Sequence, residues 1–443
     1  MKIQLSAHFT YGKLLRFTLP SIVMMVFTSV YGVVDGLFVS NFAGKDPFAA
    51  INLIMPYIMV FGVVGFMVGT GGTALISKNL GMGNQEKANE VFSMLTLVCI
   101  LSGLALTAVS MAFLRPVAQW FGAEGQMLED CVAYGLIVLP ATTAYILQFA
   151  FQSFCVTAEK SNLSLWMMIV AGVCNIVLDA LFVAVFRWGL QGAAAATAIA
   201  QCIGAVIPLV YFLRPNKSLL RLGRFRFDGR ALLKTCTNGA SELMSNLSMS
   251  VVGMLYNAQL LHYAGNDGIA AYGVIMYVNF VFIAIFIGFT IGTAPLIGYN
   301  YGADNRTELK NLFRKSMIVL TIIALCMTGS AVLLAQPLAK IFVGYDQALM
   351  EMTTRGFIIY ALSFLFAGFN IFGSAMFTAF NNGMVSAVIS FVRTLVCQVA
   401  AVLLLPLIWA LDGIWASNVA AELAALLMTG IFFVALRKRY HYA

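Results

Sequence analysis

Four carboxylates lie inside otherwise apolar stretches of this 443-residue chain: Asp35, Asp179, Glu242 and Glu422. On insertion scales a charged side chain at the centre of a bilayer is unfavourable by at least ~2.5–3.5 kcal/mol, so such a group faces a cavity or a partner. Asp35 follows Tyr31 by one helical turn, and Asp179 follows Asn175 by one turn in CNIVLDALF. Thr197 and Gln201 repeat that spacing. Carboxylate, amide and hydroxyl oxygens suit Na⁺ or a proton equally, and two acids in a low-dielectric site would share either. Tyr134, Thr142, Tyr145, Gln148 and Gln152 stay within about a third of a helix circumference and form one expected polar stripe. Met168 stands one heptad before Asn175. Polar stripes on several helices imply a wet cavity in that half of the chain. Plainer readings stand beside this one. Thr197 and Thr142 could bond backbone carbonyls, the latter because of Pro140, and Gln148 and Gln152 could join helices. Glu242, near a helix start, could reach the interface, and Glu422, one turn after Asn418, could be structural.

The elements that must position these groups follow from composition. Hydrophobic residues make up 61% of the chain and charged residues 10%, with mean hydropathy +0.90. A soluble domain averages roughly 45–50% apolar and ~25% charged residues, so the solvent here is lipid. Apolar runs separated by glycine, proline and charge predict twelve transmembrane helices. They fall near 14–40, 48–76, 91–114, 129–155, 163–186, 191–213, 232–260, 269–299, 313–335, 352–377, 384–410 and 412–436. The first apolar stretch, about 17–40, is too long for a cleavable signal and is expected to remain as a span. With both termini placed in the cytoplasm, twenty of the 26 Lys and Arg fall inside and five outside, with Arg393 within a helix. That asymmetry is the positive-inside pattern. It accounts for the net charge of +8 without nucleic acid, and RLGRFRF at 221–227 becomes a cytoplasmic linker.

The chain also repeats itself. Residues 41–92 fall on 262–313 without gaps, with 16 of 52 pairs identical, among them Gly71/Gly292, Asn79/Asn300 and Gly81/Gly302. The same shift of 221 pairs Thr157 with Thr378 and Gly192 with Gly413. The expected architecture is an all-α integral membrane protein of two six-helix lobes, 1–221 and 222–443, joined by a basic linker near 214–234. Six spans per lobe give both lobes one orientation, with a pseudo-twofold axis along the membrane normal and substrate between the halves.

The repeat, Pro20 and Asp35 in the first helix, LGMGNQEKANEVF, TAEKSN at 157–162 and NIVLD at 175–179 together resemble the multidrug and toxic compound extrusion (MATE) transporters over nearly the whole chain. The resemblance implies a V-shaped pair of bundles that exports organic cations by alternating access, driven by inward Na⁺ or H⁺. It implies an N-lobe cation site of Asp35, Asn175, Asp179 and Thr197, which would also be the metal ligands if Na⁺ is the coupling ion. Pro20 matches the proline associated with bending of the first helix. Tyr134, Gln148, Gln152, Met168, Gln201 and Glu242 become the substrate-binding candidates. Met24, Met168 and Gln201 imply a loose pocket, since Met is adaptable and polarisable. The sequence departs from some branches at 356–377, which contain no acid; this disfavours a second cation site in the C lobe.

The other expectations are negative or general. No Walker A sequence, nucleophile–His–acid triad or HExxH helix occurs, so neither direct ATP drive nor an enzyme is expected. GTGG at 69–72 lacks a preceding strand and a following Lys-Ser/Thr, so it is read as close helix packing. The eight scattered cysteines are read as small apolar fillers, and the three histidines form no metal cluster. No cofactor is expected beyond the coupling ion. The partners expected are small organic cations and the lipid bilayer. The chain is expected to be a monomer in the cell (inner) membrane. The alternative is a lipid or lipid-linked oligosaccharide flippase of a related family, which would need a cationic central cavity, whereas the intramembrane charge here is mostly acidic.

Overall fold

The computed structural model describes residues 3–38 and 45–442, and the regular structure within them is helical. Ten helices are long and apolar enough to cross a bilayer, and the pair Gln347–Ala361 and Phe364–Ala379, bent by 47°, makes an eleventh. The 74-residue helix Gly229–Gly302 would be about 110 Å long if straight, several times a bilayer. It breaks at Gly265, at φ 63° and ψ −149°, a conformation open only to glycine. The described residues therefore hold twelve spans. In chain order they are Tyr11–Phe38, Lys45–Gly81, Gln85–Trp120, Gly125–Thr157, Ser161–Val185, Gly189–Leu213, 229–264, 266–302, Arg306–Val343, the bent pair 347–379, 383–409 and 411–440.

The count agrees with the sequence reading, while several boundaries do not. The third and ninth helices run well past 91–114 and 313–335 because their charged ends, such as Glu86 and Arg115, lower hydropathy without breaking the helix. The eleventh and last helices part at Ala410, φ 48°, between the expected spans 384–410 and 412–436, and the chain is still helical at Leu405. The linker is shorter than 214–234. Helix resumes at Gly229, with the Asp228 side chain accepting from the N–H groups of Arg230 and Ala231. The linker is docked onto the third helix. Arg221 N–H donates to Asn89 Oδ1 at 2.9 Å and Gly223 N–H to Ser93 Oγ at 3.0 Å.

The two halves meet where glycines allow backbones to touch. A Cβ on Gly81 would lie 2.0 Å from the Tyr299 carbonyl, and one on Gly302 would lie 2.1 Å from the Lys78 carbonyl. These two approaches are mates under the 221-residue shift, so the internal repeat is a structural pseudo-twofold. Gly71 against Thr235 and Gly239, with Gly292 against Thr18, forms a second such set. The GTGG stretch thus serves close packing, as its sequence implied: Gly69 approaches Ala150, and Gly72 approaches Leu95 and Phe154. These approaches cluster toward the side that carries both termini and the linker. On that side the segment before the first helix is pinned to both halves. Leu5 N–H donates to Glu159 Oε1 at 2.7 Å, and Phe9 N–H donates to Glu308 Oε1 at 2.9 Å.

Candidate functional site

The N-terminal half builds its polar interior from the first, fourth, fifth and sixth helices. The first and fifth run parallel, and their register is fixed by two contacts. Ser164 Oγ donates to Met24 Sδ at 2.9 Å, and a Cβ on Gly172 would meet the Phe27 and Tyr31 rings. Carried along both helices away from the side of the termini, that register brings Asp35 to the level of Asn175–Asp179. The side chain of Asp35 lies outside the described residues. Asp179 is wholly buried and Asn175 is 2% exposed, with its Oδ1 lacking a hydrogen-bond partner. Their spacing of four places both on the face that Gly172 presents to the first helix.

The sixth helix is placed by a second close approach. Gly204 sits against the Gln148 amide, where a Cβ would lie 2.7 Å from Cδ. Gln148 Nε2 in turn donates to Met168 Sδ at 3.1 Å, and Gln152 Nε2 reaches the same sulfur at 3.4 Å. Thr197 is seven residues before Gly204 and Asn175 is seven after Met168, on helices that run in opposite directions. Each step is about 10 Å along its helix, so Thr197 and Asn175 stand at one depth. Gln201, one turn after Thr197, has a buried Oε1 without a hydrogen-bond partner. Immediately after Asp179 the helix loosens into a π-helical stretch, Ala180–Val185. Such bulges are frequent at functional sites because they re-aim side chains.

Not all substrate-binding candidates gather here. Gln148, Gln152 and Met168 form one buried cluster with Met24, which the sequence reading also placed in the pocket, and with Ser164, which it did not name. Tyr134 is separate. A 3₁₀ turn at Leu139–Ala141, carrying Pro140, interrupts the fourth helix and breaks the phase of the expected stripe. Tyr134 belongs instead to an apolar cluster with Ile54, Leu114, Val138 and Leu190. Glu242 lies in the other half, on the seventh helix. Pro20 sits inside the first helix, which continues through it.

Among the described residues no group of three His, Cys, Asp or Glu side chains could hold a metal ion. The side chains of Asp35, Asn175, Asp179 and Thr197, the set expected from the sequence, offer oxygen donors, chemistry that suits a monovalent cation or a proton. The MatE family model matches residues 20–181 and again 243–404, once in each half. The chain belongs to the MATE family. MATE proteins are transporters, and this chain is a membrane transporter rather than an enzyme. Multidrug export protein MepA of Staphylococcus saprophyticus is 24% identical over 427 residues, covering 93% of this chain and 91% of that protein. MepA of Staphylococcus haemolyticus is 26% identical over 367 residues, with coverage of 81% and 80%. The solved outward-facing structure of a multidrug resistance MATE family transporter superposes with TM-score 0.90 at 22% identity, over 97% of this chain and 98% of that one. This likeness establishes the MATE fold.

The C-terminal half of this MATE chain has a different interior. Arg393 holds Glu422 bidentately, Nη2 to Oε1 at 2.7 Å and Nε to both oxygens at 2.9 Å, within exposures of 17% and 5%. Asn370 Nδ2 donates to Glu422 Oε2 at 2.8 Å, and Thr429 Oγ1 donates to Asn370 Oδ1 at 2.9 Å. A neighbouring chain of hydrogen bonds runs from Tyr256 OH to Gln398 Oε1 (3.0 Å), Gln398 Nε2 to Asn418 Oδ1 (2.5 Å), and Asn418 Nδ2 to Ser363 Oγ (2.8 Å). Glu422 is therefore paired. The sequence signal was one base and one acid inside apolar spans of the same half.

Proposed function

We propose that this chain is a secondary active multidrug efflux antiporter that exports organic cations in exchange for Na⁺ or H⁺ by alternating access. It works as a monomer in the cell membrane with both termini cytoplasmic, as the basic residues on that side imply. The observation that carries the reading is the pair Asn175–Asp179, an acid with no exposed surface one turn from an amide whose oxygen is unpartnered. Family membership and the name of the MepA relatives, multidrug export protein, support the direction and breadth of transport.

The halves pack together on the side that carries both termini, and a cytoplasmic location of that side makes this conformation outward-facing. From outside, Na⁺ or H⁺ reaches Asp35 and Asp179 and neutralises part of the negative interior. The organic cation then loses its electrostatic counterpart and leaves. Drug and coupling ion thus compete for one set of carboxylates, and a ligand can shift the two access states only through such differential affinity. Pro20 leaves the Arg16 carbonyl without an amide partner, which makes the first helix the element best suited to bend as Asp35 changes charge. The Met168–Gln148–Gln152 cluster supplies the adaptable wall expected of a site for varied cations.

The decisive experiment is transport of a fluorescent organic cation in proteoliposomes, with Na⁺ and pH gradients imposed separately. Transport under one gradient, lost in Asp35→Asn and Asp179→Asn, is the expected result. Full coupled export by Asp179→Asn would refute the assigned role. Lipid scrambling without cation transport would favour the flippase class.

A further inference from the structure

We infer that Arg393 is a tethered counter-cation, holding in the C-terminal half the charge position that a coupling ion takes in the N-terminal half. This rests on the antiport reading above and deepens it: the chain loads its coupling ion in one lobe only.

The repeat makes the comparison direct. Shifting by 221 residues sets Glu422 on Gln201, Asn418 on Thr197 and Tyr256 on Asp35. Each half therefore carries two acids within its spans, but at different positions: Asp35 and Asp179 in one, Glu242 and Glu422 in the other. In the N-terminal half every Lys and Arg lies at a helix end or in a loop. In the C-terminal half Arg393 stands among the spans, bound to Glu422 and within electrostatic reach of Glu242.

Hydrogen bonds hold the Arg393–Glu422 pair in place. Glu422 already receives the Arg393 fork and the Asn370 amide, and Asn370 is itself oriented by Thr429. Gln398 and Asn418 satisfy one another, Tyr256 and Ser363. Buried amide oxygens without hydrogen-bond partners occur in both halves, on Asn175 and Gln201 in one and on Asn238 and Asn279 in the other, but neither of the latter belongs to the set around Glu422. One half carries a built-in base beside its buried acid, and in the other no Lys or Arg stands among the spans. Geometry supports the tether, because Arg393 emerges from a π-helical stretch, Val392–Cys397, whose wider turn sets its side chain against the twelfth helix. A guanidinium does not release its proton in a protein, so this counter-charge is permanent where Na⁺ or H⁺ would come and go.

The test counts coupling ions bound by the purified full-length chain, using isotopic Na⁺ and, separately, proton release to a pH indicator. Wild type is expected to bind one coupling ion per chain, and Asp179→Asn none. Arg393→Gln should roughly double the wild-type count by unmasking Glu242 and Glu422, and adding Glu422→Gln should return it to one. A folded Arg393→Gln protein with the wild-type count would overturn the inference and leave the ion pair structural. If Arg393→Gln does not fold, the double variant and Glu242→Gln still decide. Retention of the wild-type count in both supports a C lobe that takes no ion, and loss of an ion in either overturns it. A wild type that binds neither ion and transports under neither gradient would instead be failure of the antiport reading.

Discussion

The backbone N–H of Phe9 donates to Glu308 Oε1 at 2.9 Å, although the two residues belong to opposite halves of the internal repeat. The carboxylate's other oxygen lies 2.7 Å from His8 Nδ1, and Asn311 Nδ2 and Lys315 Nζ both reach the Phe9 carbonyl. With Leu5 held by Glu159, the segment before the first helix straps the two lobes together on the side where they are closed. An alternating-access cycle has to undo this strap each time that side opens.

Glu308→Ala should therefore weaken the closed side. Hydrogen bonds to a charged group contribute about 1.5–3 kcal/mol each, and Glu308→Gln, which keeps an acceptor, should lose less. The readout is a cysteine at Ser77, a wholly buried position against Gly298 between the halves. In an otherwise cysteine-free background it should react faster with a maleimide applied from the terminal side in Glu308→Ala than in the parent. Equal rates would show that the strap does not govern opening.

The glycine seam gives a second expectation. Adding a methyl at Gly81 or Gly302 places carbon about 2 Å from a carbonyl of the opposite half, Tyr299 or Lys78. Overpacking of this kind is unfavourable by typically 1–3 kcal/mol. The two sites are pseudo-twofold mates, so Gly81→Ala and Gly302→Ala should shift the same labelling assay in the same direction. Gly430→Ala, where nothing lies within 4 Å, should not. Opposite effects from the mates would argue against a shared seam.

Met168 is the shared acceptor of two buried amides. Met168→Leu keeps volume and removes the acceptor, leaving Gln148 and Gln152 to find partners in the substrate. Stability should change by less than ~1.5 kcal/mol, while the rank order of transported cations moves toward compounds that accept hydrogen bonds. A panel of cations in proteoliposomes checks this, and an unchanged rank order would remove Met168 from the substrate wall.

How much of this was legible in the sequence depended on whether the signal lay along one helix or between helices. The repeat, the twelve spans and the Asn175–Asp179 face are periodicities of one chain, and the structure has them. The Leu5–Phe9 strap was not legible, because six residues before the first span carry no hydropathy signal and their partners are 154 and 299 positions away. Tyr134 stands apart from the other stripe residues for a physical reason: the stripe assumed one continuous helix, and the Pro140 turn resets the phase. The π-helical stretches after Asp179 and at Arg393 were equally invisible, since an extra residue in a turn leaves composition unchanged.

The Arg393–Glu422 pair makes the last expectation quantitative. Removing one partner of a buried ion pair strands the other charge and typically loses 3–5 kcal/mol, whereas replacing both with apolar groups of similar volume is often neutral or stabilising. Glu422→Ala should therefore lower the thermal midpoint in detergent far more than Arg393→Met with Glu422→Leu, even though the double variant removes every hydrogen bond between the two. Asn370 sharpens the comparison. It donates to the Glu422 carboxylate and also to the Glu422 backbone carbonyl at 2.9 Å, so one anchor survives in the double variant. A double variant as unstable as Glu422→Ala would mean that the pair is held for stability. A double variant near wild type would mean that the charges persist in this lobe for a reason other than folding.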